Sequence, residues 1–195
     1  MPEVRKIMTV GTARFQQACW FVLTHETEFH TGHYGDYSEE AFVRTECVPG
    51  DTGGTTRYGI DAAGNPGVDV VNLTFDQAVA IYWNHYWRIQ NHPMDDLPAG
   101  WGEVMFDIRV NGGDPVSMAQ RAARMTGAVV TIGAPLDQTS ISAMQQAGSA
   151  GLKNFLHLRQ HRYDVLAQMH SNDAQFLAGW TARNNDLAKF VNTPI

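Results

Sequence analysis

Glu26 is the residue whose type and position most directly suggest chemistry. It lies in a segment, Thr12 to about His30, whose apolar residues recur at helical spacing. On such a helix, one arc roughly 100° wide contains Glu26 together with Phe15, Ala18, Cys19, Val22 and Phe29. A carboxyl group on an apolar face holds its proton more readily, because burial destabilises the ionised form, and a general acid needs that property. A structural carboxylate paired with an arginine or with backbone amides fits the same spacing.

The pair His25-Glu26 also begins a zinc-protease pattern, which requires a second histidine four residues after the first. Position 29 is Phe29, and His30 projects about 100° away from His25 on a helix. Two imidazoles placed in this way cannot share a metal on one helical face. We therefore predict no metal site and no cofactor, with a loose site formed by His25, His30 and His33 as the alternative.

A second candidate segment combines paired glycines with threonine hydroxyls, in the order Asp51-Thr52-Gly53-Gly54-Thr55-Thr56-Arg57-Tyr58-Gly59-Ile60. Glycines let the backbone approach a ligand closely, and hydroxyls supply hydrogen-bond partners. The segment lacks the Gly-Lys-Ser/Thr ending of a phosphate-binding loop. A ligand-contacting loop and a plain glycine-rich turn with a short strand are both consistent with it.

Aromatic residues cluster in the segment Tyr82-Trp83-Asn84-His85-Tyr86-Trp87. Flat aromatic faces commonly line sugar-binding clefts, yet at helical spacing such residues are more often part of a core. Regular helical spacing places Trp83 and Trp87 on one face and Tyr82 and Tyr86 on the adjacent one. One pair can then be buried while the other lines a groove.

The elements that must position these residues are mainly helices. A capping box, Thr74 to Gln77, begins a helix that stops before Pro93. Asp114 as the N-cap and Pro115 at the first helical position begin another helix, which ends near Gly127. Further helical patterns cover Gly102 to Val110, Thr139 to Ala147, Leu152 to His170 and Ala174 to Val191. The fold class is therefore mainly α, with a small β-hairpin within Val48 to Gly67.

Composition excludes several classes of function. The net charge is -6 and no run of Lys or Arg occurs, which argues against nucleic-acid binding and against a basic membrane-active tail. The apolar stretch from Trp20 to Leu23 is too short for a signal sequence or a membrane span. We expect synthesis in the cytoplasm and delivery by another factor. The two cysteines, Cys19 and Cys47, suggest free thiols rather than a disulfide framework, although one late disulfide stays open.

Taken in order, these segments resemble glycoside hydrolase family 108, the muramidases of phages and prophages. The family has a Glu-Gly-Gly signature at the end of an N-terminal helix, where this chain has His25-Glu26-Thr27. Its Asp-Pro-Gly-Gly-x-Thr-x-Tyr-Gly-Ile signature matches Asp51 to Ile60. Its Tyr-x-x-x-Tyr-Trp helix matches Tyr82 to Trp87, and its Phe-Asp-x-x-Val-Asn-x-Gly segment matches Phe106 to Gly113. The C-terminal third is similar to a segment described as a predicted peptidoglycan-binding region.

The resemblance implies a lysozyme-like α-helical fold, with residues 1–127 as the catalytic part and 128–195 as a helical C-terminal part packed on it. It implies hydrolysis of the β-1,4 bond between N-acetylmuramic acid and N-acetylglucosamine. Glu26 stands at the position of the catalytic acid, Asp51 is a candidate second group, and Thr56 would position water or substrate. Our candidates for residues of the substrate cleft are Tyr58, Trp87, Asp107 and Asn111, and a structural role fits Asp107 equally well. We expect a monomer that acts on peptidoglycan glycan strands.

The chain departs from the family pattern at two places. Thr27 and Glu28 follow Glu26 where the family has two glycines, and Gly32 to Pro49 forms an apparent insertion before Asp51. Two alternatives stay open. A lytic transglycosylase uses a single glutamate without a nucleophile, and a non-catalytic wall-binding or virion structural protein could keep the same fold.

Overall fold

The computed structural model describes residues 8–26, 55–89, 92–170 and 173–195. The chain forms two compact units, Met1–Trp87 and Arg88–Ile195. The boundary predicted after residue 127 lies within the second of these units, and the functional division at that point stays a prediction. Asp51, Cys47 and the insertion at 32–49 lie outside the described residues.

Helix α1, Ala13–Glu26, is the first element of the first unit. The hydroxyl of Thr12 accepts a hydrogen bond from the backbone N–H of Phe15 at 3.2 Å, which satisfies one of the free amides at the helix start. The helix buries Phe15, Ala18, Cys19, Trp20, Val22 and Leu23, so the predicted apolar stripe is confirmed over its described members. Burial raises the pKa of the Cys19 thiol well above its usual range, so this thiol stays protonated.

The predicted small β-hairpin is confirmed between residues 56 and 61. Strand β1, Thr56–Arg57, pairs antiparallel with β2, Ile60–Asp61, with Thr56 opposite Asp61 and Arg57 opposite Ile60. The two turn residues, Tyr58 and Gly59, have φ angles of 55° and 75°. Positive φ at both central residues is the feature of the two-residue turns whose twist matches that of paired strands.

Helix α2, Phe75–Ile81, begins at the predicted capping box. The Thr74 hydroxyl accepts from the Gln77 backbone N–H at 3.3 Å, and the Gln77 side chain accepts from the Thr74 N–H at 2.8 Å. The chain then continues into a π turn, Tyr82–Tyr86, closed by a 2.8 Å hydrogen bond from the Trp87 N–H to the Tyr82 carbonyl. The π turn inserts one extra residue into the helical repeat.

This extra residue changes which aromatic side chains are buried. Tyr82 and Trp87, five residues apart, are both fully buried, whereas Trp83 and Tyr86 are only half-buried. The predicted pairs are nonetheless present, because the rings of Trp83 and Trp87 both meet the Phe15 ring, at 5.0 and 5.5 Å, and the rings of Tyr82 and Tyr86 lie 5.6 Å apart. The expectation that one pair is buried and the other lines a groove is not met, because each pair has one buried and one half-buried member.

The second unit begins with a short hairpin, β3 (Arg88–Ile89) against β4 (His92–Pro93), and a 3₁₀ turn, Met94–Asp96. Helix α3 is Trp101–Val110 and α4 is Pro115–Arg124. The Asp114 side chain accepts from the Ser117 N–H at 3.1 Å, which confirms Asp114 as the N-cap before Pro115. The Glu103 carboxylate accepts from the Gly100 N–H at 2.8 Å and caps α3.

Two long helices complete the second unit. Helix α5, Gln138–Met169, is interrupted at Gly148, where φ is 53° and ψ is -144°, so the two helices predicted on either side of this point are confirmed. A 3₁₀ turn, Ala174–Phe176, leads into α6, Leu177–Phe190. Among the helices that the structure describes, none is both long and apolar enough to cross a membrane.

A buried charge network ties α3, α5 and α6 together. The Asp107 carboxylate accepts from Arg183 at 3.0 and 2.7 Å and from Arg159 through its other oxygen. Asn184 accepts from Arg159 at 3.3 Å and donates to the Leu156 carbonyl at 3.1 Å. All three charged side chains have lost nearly all contact with solvent. Buried ions of this kind are tolerated only while they stay paired.

We therefore predict that Asp107→Asn lowers the free energy of unfolding by about 3–5 kcal/mol, because two buried guanidinium groups then lose their counter-charge. Urea denaturation followed by circular dichroism measures the change. Asp186→Asn is the matched control, since Asp186 forms an exposed pair with Lys189 at 3.0 Å and its loss should cost less than about 1 kcal/mol. Equal stability of the two variants would contradict a role for Asp107 in holding these helices.

Candidate functional site

Glu26 is the last residue of α1, and its side chain is half-buried against the β-hairpin. A methyl group placed on Gly59 would lie 2.9 Å from both Cβ and Cγ of Glu26. Real Cβ atoms are not found at such distances. The aliphatic part of Glu26 therefore packs directly on the backbone of the hairpin turn, and only glycine fits beneath it.

Tyr82 fixes the same turn from the other side. Its hydroxyl oxygen would lie 2.6 Å from a methyl group on Gly59. The hydroxyl donates a hydrogen bond to the Tyr58 carbonyl at 2.9 Å in a buried setting. A buried carbonyl that lost this donor would carry a desolvation cost of about 1–3 kcal/mol. The π turn thus positions a hydroxyl that anchors the backbone next to Glu26.

Tyr58 has a packing role in the structure. Its ring is 1% exposed and meets the Phe75 ring edge-on at 5.9 Å. A left-handed conformation is costly for an aromatic residue, and burial of the ring together with the Tyr82 hydrogen bond offsets that cost. The substrate contact predicted for Tyr58 stays a prediction. In the structure the ring packs in the core and supports the hairpin turn.

Thr56 and Asp61 face each other across the hairpin as directly paired residues. Paired residues of two strands lie on the same face of a hairpin, so Thr56 and Asp61 present their side chains together. Both are half-buried. The Asp61 carboxylate accepts from the Gly64 N–H at 2.6 Å. The pairing places a carboxylate beside the predicted hydroxyl, which the sequence pattern did not indicate.

Trp87 is also a packing residue. It is 0% exposed, its ring meets the Phe15 ring at 5.5 Å, and the Arg14 guanidinium carbon lies 6.0 Å from the ring centre. Its predicted contact with substrate stays a prediction. The remaining predicted cleft residues belong to the second unit, where Asp107 lies in the buried charge network. Asn111 is exposed and donates to the Asp107 carbonyl at 2.7 Å.

Metal chemistry has no support among the described residues. No group of three or more His, Cys, Asp or Glu side chains there is arranged to hold an ion. His25 Nδ1 lies 2.9 Å from the Phe21 carbonyl oxygen, so this nitrogen acts as a donor within α1. His30 and His33, the other members of the loose alternative site, lie outside the described residues, as does Asp51.

Gly59 and Tyr82 are the two positioning residues to which the sequence assigned no functional role. The signal for Gly59 is its place in a two-residue turn between short strands. Tyr82 lies five residues before Trp87 in the sequence. This spacing predicts that both side chains are buried only if the helix contains a π turn. Together Gly59 and Tyr82 place the end of α1, the hairpin turn and the start of the π turn in contact.

Comparison with known proteins relates this chain to glycosidases. Residues 43–113 match the family model described as Glycosyl hydrolase 108. No curated protein matches the chain. The solved structure titled "Structure of Brucella abortus SagA" is 22% identical over 92% of this chain and 94% of that one, with a TM-score of 0.64. At this identity the likeness shows a shared fold.

The fold prediction is confirmed by these findings, because the chain has a mainly α, lysozyme-like fold with small hairpins. The matched segment includes the hairpin, the π turn and α3, and it supports a glycosidase. Glu26 precedes that segment, and the whole predicted C-terminal binding region, 128–195, follows it. The contact of Glu26 with Gly59 is therefore what connects this carboxyl group to the matched part of the chain.

We predict that Gly59→Ala is far more damaging than Gly67→Ala. Both glycines have positive φ, 75° and 91°, so both variants incur the backbone cost of about 1–2 kcal/mol. Only Gly59 has neighbours where the methyl group would go, since nothing lies within 4 Å at Gly67. Urea denaturation should therefore show a larger loss of stability for Gly59→Ala by at least about 1 kcal/mol. Equal losses would show that Glu26 and Tyr82 do not crowd this turn.

Proposed function

We propose that this protein is a peptidoglycan hydrolase that cleaves the β-1,4 bond between N-acetylmuramic acid and N-acetylglucosamine, with Glu26 as the general acid. The observation that carries the proposal is the packing of Glu26 on Gly59, so close that a methyl group on this glycine would lie 2.9 Å from the glutamate side chain. This contact holds a half-buried carboxyl group against the hairpin of the segment that matches Glycosyl hydrolase 108.

In the proposed reaction, Glu26 donates its proton to the glycosidic oxygen as the bond to the sugar carbon breaks. The developing oxocarbenium-like charge requires a second group that either stabilises it or activates a water molecule. Asp51 is the candidate we retain from the sequence. Thr56, on the same hairpin as Gly59, is proposed to position the water or the sugar through its hydroxyl group.

Positioning accounts for the roles we propose for the buried residues around Glu26. General acid catalysis requires the donor within hydrogen-bond distance of the oxygen that it protonates. Tyr82 and Gly59 fix the backbone against which the Glu26 side chain lies.

Tyr58 and Trp87 are proposed to support the cleft wall from within the first unit. Within the second unit, Asn111 is proposed to contact glycan and Asp107 to hold it in place through the 2.7 Å hydrogen bond to its carbonyl. Residues 128–195 are proposed to bind the wall polymer.

Glu26→Gln should reduce the rate of peptidoglycan cleavage by about 10²- to 10⁴-fold, because the amide cannot donate the proton. Release of soluble fragments from purified sacculi measures the rate. Glu103→Gln is the matched control, since its side-chain oxygen can still accept from the Gly100 N–H, and its activity should stay near that of the wild type. Wild-type activity in Glu26→Gln would remove Glu26 from the mechanism.

The reaction products separate a hydrolase from a lytic transglycosylase. A hydrolase adds water and leaves a reducing muramic acid end, whereas a transglycosylase leaves a 1,6-anhydro end of lower mass. Digestion of sacculi in H₂¹⁸O followed by mass spectrometry should give reducing ends that carry one ¹⁸O atom. Anhydro ends without ¹⁸O would contradict hydrolysis while leaving Glu26 as the acid, and a wild-type protein inert on sacculi would contradict both reactions.

A further inference from the structure

Helices α4 and α5 pack antiparallel and leave a groove between them in the second unit. Asn154 donates to the Ala122 carbonyl at 3.5 Å, and Arg162 donates to the Gly112 carbonyl at 2.9 Å, so later residues of α5 lie beside earlier residues of the α4 region. The groove has a volume of about 410 Å³ and is lined by Asp114, Ser117, Met118, Arg121, Leu158, His161 and Arg162. Its size is in the usual range of ligand-binding sites.

The groove has basic groups on both walls, in a protein whose net charge is -6. Arg121 stands on the α4 wall and Arg162 on the α5 wall, next to His161. Within the part of the chain that the structure describes, neither arginine forms an ion pair. The lining carboxylate, Asp114, is used by the N-terminus of α4 through its bond to Ser117. The two guanidinium groups therefore offer unused donors to an anion.

The apolar residues that line the groove limit which ligands can fit it. Met118 on α4 and Leu158 on α5 are the apolar residues of the lining, and they suit small aliphatic side chains. Guanidinium groups bind carboxylates through paired, nearly planar hydrogen bonds. A ligand with two carboxylates separated by short aliphatic groups matches both features. An extended polyanion such as a nucleic acid would need a longer basic track than this groove provides.

We infer that this groove binds the acidic stem peptide of peptidoglycan, with Arg121 and Arg162 on its carboxylates; the inference rests on the proposed function for the identity of the polymer. Binding at this groove would attach the enzyme to the peptide part of the wall polymer, separately from the glycan that Glu26 acts on. Stripping the peptides from the wall should then weaken attachment without removing the bond that is cleaved.

The test uses the full chain and a soluble synthetic stem tetrapeptide with two free carboxylates. Isothermal titration calorimetry should show binding that weakens as salt is raised, because the contacts are ionic. Arg121→Gln should lower the affinity at least about tenfold, the loss expected for one charge-assisted hydrogen bond. Arg121 is exposed and makes no hydrogen bond that folding needs. Arg124→Gln, on the same helix but outside the groove lining, is the matched control and should change the affinity less than about twofold.

The same peptide with both carboxylates amidated should bind at least about tenfold more weakly. Equal binding of the two peptides, or an affinity unchanged by Arg121→Gln, would overturn the inference. Binding of anionic phospholipid vesicles without binding of the peptide would also overturn it, because the groove would then bind the phosphate groups of a lipid surface.

Cleavage assays separate this inference from the proposed function. On glycan strands freed of peptide, Arg121→Gln should cleave as fast as the wild type, whereas Glu26→Gln should bind the peptide normally and cleave about 10²- to 10⁴-fold more slowly. A wild type that cleaves glycan but binds no peptide would contradict the groove alone. A wild type that binds the peptide through Arg121 but cleaves no glycan would contradict the proposed function alone.

Discussion

The close approach of Gly59 to Glu26 and Tyr82 is the constraint on which the candidate site depends. Three elements meet at one glycine, and a single methyl group would collide with two of them. The left-handed backbone at Tyr58 makes this turn tight enough to pass beneath the glutamate. The hydrogen bond from Tyr82 to the Tyr58 carbonyl then prevents the turn from relaxing. The position of the carboxyl group therefore depends on the backbone of the hairpin turn as well as on the helix α1 that carries it.

The π turn explains how a helix can supply that hydroxyl and also a buried tryptophan. A regular α-helix would place Tyr82 and Trp87 about 140° apart around the axis. With the hydrogen bonds spanning five residues, both side chains are buried, Tyr82 against the hairpin and Trp87 against Phe15. π turns in helices often occur at functional sites, and here the distortion serves the residue that anchors the turn beside Glu26.

Local sequence signals predict much of the fold. Side chains within four residues determine the caps at Thr74 and Asp114 and the stripe of α1, so these features are readable from spacing. Spacing points to Glu26 in the same way. It does not reveal partners brought together by folding. The pairing of Asp107 with Arg159 and Arg183 depends on the packing of three helices, so the sequence alone leaves a cleft role and a structural role for Asp107 both open. The basic residues of the α4–α5 groove cannot be predicted from the sequence for the same reason, because Arg121 and Arg162 are far apart in the chain and come together only on folding.

We propose that the Glu26 carboxyl group faces the bond to be cleaved. A crystal structure of Glu26→Gln with a bound muropeptide tetrasaccharide tests this most directly, because the inactive variant can hold an intact substrate. We expect the side-chain amide introduced at position 26 to lie within about 3 Å of one glycosidic oxygen, with the sugar beside the turn at Gly59. A saccharide bound elsewhere, or an amide turned away from every glycosidic oxygen, would contradict it.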